Sequence, residues 1–241
     1  MFDNCTKVTN FSYTFSSCYH LASIPQGLFD NCTEVTNFSY TFSSCFDLTS
    51  IPQELFDNCT EVTSFAGTFN GCSSTSLTSI PQGLFDNCTE VSSFESTFSS
   101  CHNLASIPQG LFDNCTKVTS FAYTFKGCSF YLSFIPKGLF DNCTEVTDFS
   151  YTFYKCYISY PTSIPSGLFD NCTKVTSFRS TFEGCSSICK ESPYTIIDGE
   201  EYHLYDRYKL PSHFAKPDGK SCFKGCVNLL GYSSMDPYWK N

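Results

Sequence analysis

The string Phe-Asp-Asn-Cys-Thr recurs seven times, starting at Phe2, Phe29, Phe56, Phe85, Phe112, Phe140 and Phe169, at steps of 27, 27, 29, 27, 28 and 29 residues. A period of this size restricts the chain to an array of stacked units, because one unit is too small to bury its own apolar edge. Each unit divides into two half-units with one skeleton: Leu or Val, then Ile or Phe three residues on, then Phe, then Cys three after that Phe. Leu21 to Ile24 and Val35 to Phe38 place apolar residues at both ends of a short polar stretch, which predicts brief extended segments. Phe29-Asp-Asn-Cys32 and Phe42-Ser-Ser-Cys45 place Phe and Cys on one face of a single helical turn. Pro25 and Gly27 break the chain between the two kinds of segment. Stacking then lines up Phe on Phe, Val on Val and Cys on Cys. The expectation is a β-rich α/β solenoid of about seven 27–29-residue turns with short strands and short helical turns.

Composition narrows what such an array does. Of 241 residues, 41% are hydrophobic and 17% aromatic, ample for a core. The formal net charge of −9 argues against nucleic acid and anionic membrane surfaces, which need clustered Lys and Arg. No apolar stretch approaches the roughly 18–20 residues of a membrane span, so no membrane insertion is expected. Charge is uneven: residues 1–116 hold eleven acids against Lys7 alone, whereas residues 117–189 hold five acids and six bases. The chain opens Met-Phe-Asp-Asn-Cys, in mid-unit and without a basic or apolar leader, and is expected to be a fragment or a domain cut.

The phrase Phe42-Ser-Ser-Cys-Phe-Asp-Leu-Thr-Ser-Ile51 resembles the BspA-like leucine-rich repeats of bacterial surface proteins. The resemblance covers residues 1–189 and returns at Phe223-Lys-Gly-Cys-Val-Asn-Leu229. It implies a right-handed leucine-rich-repeat superhelix, secreted or on the cell surface, that binds proteins or host surfaces and has no catalysis of its own. The Val-Thr-x-Phe of the second half-unit departs from that pattern.

Three regions follow: a solenoid at 1–189, an inserted hairpin at 190–221, and a terminal half-repeat and cap at 222–241. In the insert, Tyr194 to Ile197 and Tyr202 to Tyr205 flank Asp198-Gly199, which predicts a β-hairpin covering the edge of the last turn. Departures from the 27-residue step fall at Ser73–Ser76, Ser129–Tyr131 and Tyr157–Tyr160, which marks one edge as exposed.

Fourteen of the 17 cysteines form two columns, and a small buried thiol repeated as a ladder accounts for them; vertical disulfides or a metal rail are the alternatives. Cys226 keeps the register. Cys189 and Cys222 fall outside it and bracket the insert, so they are expected to pair as a disulfide in an oxidising compartment. A four-Cys zinc site from Cys185, Cys189, Cys222 and Cys226 is the other arrangement of these residues. The Asp column beginning at Asp3 and Asp30 is expected to cap helical turns rather than hold calcium. His20, His102, His203 and His213 form no nucleophile or base pattern, so neither catalytic residue, metal nor cofactor is expected.

Tyr13, Tyr40, Tyr123 and Tyr151 share a column that elsewhere holds Gly67, Ser96 and Ser180. A core position does not tolerate that exchange, so the column is expected at the surface, as a platform for a protein or glycan. Tyr131, Tyr157 and Tyr160 on the insertion edge are further candidates for ligand contact. The expected function is recognition or adhesion at a cell or virion surface; a structural spacer within a larger surface or fibre protein is the second expectation. The repeat leaves oligomeric state open.

Overall fold

A computed structural model describes residue 2 and residues 4–128, 134–157, 164–188 and 190–241. Successive turns are joined by parallel bridges of one residue each, running Asn10, Asn37, Ser64, Ser93, Ser120, Asp148, Ser177 and Asp218. The expected short strands thus contract to single bridged residues, and the expected helical turns to isolated i to i+3 turns such as Cys32 N–H to Phe29 O at 2.8 Å.

The reason lies in how the backbone spends its N–H groups. Phe38, Tyr40, Phe42 and Ser44 donate to the carbonyls of Ser64, Ala66, Thr68 and Asn70 in the following turn, at 3.0, 2.8, 2.9 and 2.6 Å. The intervening Thr41, Ser43 and Cys45 fold back onto Phe38, Tyr40 and Phe42 at 3.1, 3.1 and 3.3 Å. Such alternation requires the left-handed region twice per turn, and Tyr40 and Ser44 have φ of 56° and 60°. No helix propagates through a left-handed residue. The amide of Ser39, which joins neither set, is taken by Asn37 Oδ1 at 2.7 Å, an Asx turn within the bridge.

Three phenylalanine columns fill the interior. Phe38 stacks on Phe65 at 5.8 Å, Phe42 on Phe69 at 5.6 Å, and Phe29 on Phe56 at 6.2 Å, while Phe29 tilts against Phe38 at 4.7 Å. Beside them, buried Thr hydroxyls bind two turns together: Thr68 Oγ1 donates to Phe65 O at 2.8 Å or to Phe38 O at 3.0 Å. The cysteines serve the same purpose. Cys101, Cys128 and Cys156 donate to the carbonyls of Phe69, Phe98 and Phe125 in the preceding turn at 3.1, 3.0 and 2.9 Å. Among the described residues, no group of three or more His, Cys, Asp or Glu is arranged to hold a metal ion.

Among the described residues, no backbone amide donates to a carboxylate of the aspartate column, which therefore does not cap in the expected way. Gly27, Gly83 and Gly110 leave room for the carboxylates of Asp30, Asp86 and Asp113 to lie over them, within 3.0 Å of where a Cβ would stand. The amide of the next residue makes the cross-turn bond instead, as in Asn114 Nδ2 to Asp86 O at 2.9 Å.

After residue 188 the register is interrupted and then resumed. Strand β1 (Tyr194–Ile197) pairs antiparallel with β2 (Glu200–His203), two residues earlier than the sequence suggested, around Asp198 and Gly199 at φ of 53° and 85°. Two positive φ values in a two-residue loop suit the right-handed twist of a hairpin. A 3₁₀ helix, Leu204–Lys209, follows directly. Asp218 then bridges Ser177, and Phe223 stacks on Phe182 at 5.7 Å. This alignment puts Cys222 in the threonine column, with Phe182 N–H bonded to its carbonyl at 2.8 Å. Cys222 is therefore in register, contrary to expectation; the sequence offset hid it because a hydroxyl column accepts a thiol. Its expected disulfide partner, Cys189, lies outside the described residues.

Gly219 falls where earlier turns carry Phe178 and its predecessors, and Trp239 of helix α1 (Pro237–Lys240) fills the vacated space, within 2.3 Å of a hypothetical Cβ. The outward N–H groups of Ser221 and Phe223 end on the carbonyls of Tyr238 and Trp239 at 3.0 and 2.8 Å.

Candidate functional site

The tyrosine column coincides with the first left-handed position of each turn: φ is 60° at Tyr13, 56° at Tyr40, 60° at Tyr123 and 59° at Tyr151. Gly67, Ser96, Ser180 and Ser221 occupy the same position with φ of 62°, 57°, 52° and 58°. Exchange among Tyr, Ser and Gly at this column follows from that geometry as well as from exposure. Tyr13 is 61% exposed, and the other three are half-buried.

The four rings form two separate stacks. Tyr13 and Tyr40 lie 5.0 Å apart at 9°, and Tyr123 and Tyr151 lie 4.7 Å apart at 4°. The ring of Tyr40 leans over the following turn and covers Gly67 so closely that a Cβ there would meet it at 2.3 Å. Gly67 and Ser96 separate the stacks. Burial pushes the Tyr40 phenol up, helped by Tyr13 and Glu95. Burial also raises Tyr123, with Tyr151, Glu95 and Asp148 adding to the effect and Arg179 opposing it. Glu95 therefore stands near both stacks.

The second stack carries residues that the column pattern did not single out. Tyr154 packs on Tyr151 at 5.5 Å and 57°. Lys126 Nζ lies 5.4 Å from the Tyr123 ring and 5.8 Å from that of Tyr154, and Lys155 Nζ lies 5.1 Å from Tyr154. Lys126 and Tyr154 share one column in adjacent turns, a signal present in the sequence. Lys155 occupies the second left-handed column at φ 53°, where Gly71, Gly127 and Gly184 stand elsewhere.

Tyr157 is 48% exposed and sits directly after Cys156, on the edge where Tyr19 and Phe46 stack at 5.1 Å. It belongs to a different edge from Tyr151. Tyr131 and Tyr160 lie outside the described residues. A further column pairs charges between turns: Lys7 with Glu34, Lys117 with Glu90 at 2.6 Å, and Lys174 with Glu145 at 2.6 Å.

A sequence profile described as the BspA type leucine rich repeat region matches residues 1–179 in six copies. No curated protein matches the sequence. Among solved structures, the chain is similar to the leucine-rich repeat domain of APL1, with 15% identity and a TM-score of 0.41 over 65% of this chain and 35% of that one. It is also similar to a chain of the glycosylated Toll–Spatzle complex from Drosophila, with 16% identity and a TM-score of 0.39 over 93% and 33% of the two chains. The chain spans about a third of the length of these solved chains.

Proposed function

We propose, from the premise that this chain belongs to the BspA-type leucine-rich repeat family, that it is a non-catalytic recognition module whose tyrosine column engages a protein or glycan at a cell or virion surface. Leucine-rich repeat domains generally mediate protein interactions or build structure. One observation carries the finer reading: four bulky rings occupy left-handed backbone positions that glycine and serine fill equally well in other turns. A left-handed L-residue costs about 1–2 kcal/mol, and aromatic stacking returns about 0.5–1.5 kcal/mol. Serine bears the same backbone cost in other turns, so the fold does not require the rings, and a bulky outlier where a small residue suffices points to use.

In this reading residues 190–241 are a terminal cap, the chain acts outside the cell, and Cys189 pairs with Cys222. The alternative, a spacer whose repeats only set length, draws on the continuity of the phenylalanine columns from Phe11 to Phe178. Replacing Tyr13, Tyr40, Tyr123 and Tyr151 with serine separates the two. Recognition through the column predicts loss of capture on arrays of host proteins and glycans with unchanged circular dichroism and a melting temperature lowered only by the lost ring stacking. Capture that survives the quadruple replacement overturns it.

A further inference from the structure

We infer that the cleft between the 3₁₀ helix and α1 is a second binding site, built for a neutral saccharide. Two cavities of about 490 and 530 Å³ share Tyr208, Lys216, Asp236 and Trp239 in their walls, and so form two lobes of one cleft. Each lobe falls within the roughly 300–1,000 Å³ typical of small-molecule sites.

Its lining exceeds what covering the last turn requires. Trp239 fills the space over Gly219, but Tyr208 and Tyr238 remain 57% and 50% exposed at the cleft. Tyr208 projects from the 3₁₀ helix with the Lys209 ammonium over its ring at 5.8 Å. Aromatic side chains held open in a concavity present flat apolar faces, which suit the C–H face of a sugar ring.

The polar groups select the ligand further. Tyr238 donates its hydroxyl to Asp218 Oδ1 at 2.7 Å, and Asp236 Oδ1 accepts the Tyr238 amide at 2.8 Å. Each carboxylate keeps a second oxygen to offer. Lys216 has no ion-pair partner among the described residues and supplies donors to the same space. Asp206, Asp218 and Asp236 stand against Lys216 in the walls, with Asp206 paired to Lys209 at 2.6 Å, so the field repels an acidic ligand, and the titration separates a basic peptide from a sugar. A ring bearing several hydroxyls uses both kinds of group, since each hydroxyl donates and accepts.

The chain contains a single tryptophan, and it lines both lobes, so its fluorescence reports occupancy of this cleft. The full chain is titrated with gluco-, manno-, galacto- and N-acetylglucosamine oligosaccharides of two to six units, with acidic and basic hexapeptides alongside. At least one saccharide series should produce a saturable change in Trp239 emission. Tyr208→Ala and Lys216→Ala should each weaken it about tenfold or more, with unaltered circular dichroism and melting. Serine replacement of the four column tyrosines should leave it intact, which keeps this site's failure distinguishable from that of the column. Three results overturn the assignment: no saturable change with any saccharide, a change that both single variants retain in full, or a change produced by the peptides and not by the sugars.

Discussion

The guanidinium of Arg207 takes the position toward Cys172 that the thiols of Cys59, Cys88, Cys115, Cys143 and Cys172 take toward the cysteine one turn before each. Cys172 Sγ points at Phe140 O and Cys143 O; one turn later, Arg207 Nη2 and Nη1 lie 2.6 Å from Phe169 O and 3.1 Å from Cys172 O. Burial lowers the Arg207 pKa to about 10, which leaves it charged at neutral pH, and the Phe214 ring covers the cation at 4.1 Å. A residue far from the repeat consensus thus ends the first cysteine ladder.

Removing that cation should loosen one end of the molecule. Arg207→Met leaves Cys172 O without a donor and Phe169 O with the Cys172 amide alone, at a cost of about 1–3 kcal/mol. Units of a repeat array contact only their neighbours. Hydrogen exchange should therefore accelerate in residues 164–188 and little in residues 28–100; equal acceleration throughout would mean that the array melts as one unit.

The left-handed tyrosines should be nearly silent in stability. Tyr151→Gly relieves about 1–2 kcal/mol of left-handed backbone cost and forfeits contacts with Tyr123 and Tyr154 of about 0.5–1.5 kcal/mol each. Urea unfolding should shift by less than about 1 kcal/mol, whereas Phe94→Ala, which empties a fully buried position, should cost about 3–5 kcal/mol. A loss above about 2 kcal/mol for Tyr151→Gly would make that ring structural.

Alkaline pH should unfold the chain through its thiols. Burial raises Cys45 to about 11 and Cys59, Cys115, Cys128 and Cys226 to about 12, from an ordinary value of 9.0. The folded state keeps these protons while the unfolded chain releases them, so their stabilising contribution is complete below about 9 and declines as pH rises toward 12. Equilibrium unfolding followed by circular dichroism should show stability falling steeply above pH 9. The slope should be shallower in Cys128→Ala, and a stability curve flat from pH 8 to 11 would contradict the thiol ladder.

The proposed Cys189–Cys222 bridge has a direct readout. Alkylation of the oxidised, unreduced chain under denaturing conditions should label fifteen of the 17 cysteines and leave these two joined in one peptide pair. Labelling at all 17 positions would show that the insert is held without it.

Much of this arrangement was legible in the sequence because its core repeats literally. Phe29, Phe38, Phe42, Cys32 and Cys45 each recur in phase, and the stack they form is the one their spacing implies. What escaped depends on substitution across chemical types. Arg207 replaces a thiol donor, Trp239 replaces the ring missing at Gly219, and Cys222 replaces a threonine; in none of these does the letter resemble its predecessor. The backbone conformation of Tyr40 escaped for another reason. Tyrosine disfavours positive φ, so only comparison with Gly67 at the same column hints at it. The cluster of Lys126 and Tyr154 was readable in principle, but two adjacent letters in an otherwise serine-rich column carry a weak signal.

The alternating N–H pattern has a consequence for how such a chain changes over generations. The groups that tie one turn to the next are main-chain ones, at the buried Phe38 and Phe42 and at the outer Tyr40 and Ser44 alike, so no outer side chain is part of that stitching. A gene that gains or loses a whole unit closes the seam as before, and a single codon change at Tyr40 or Ser96 rewrites one rung of the face without reopening it. Length and pattern can drift separately, which lets one inherited scaffold present many different surfaces.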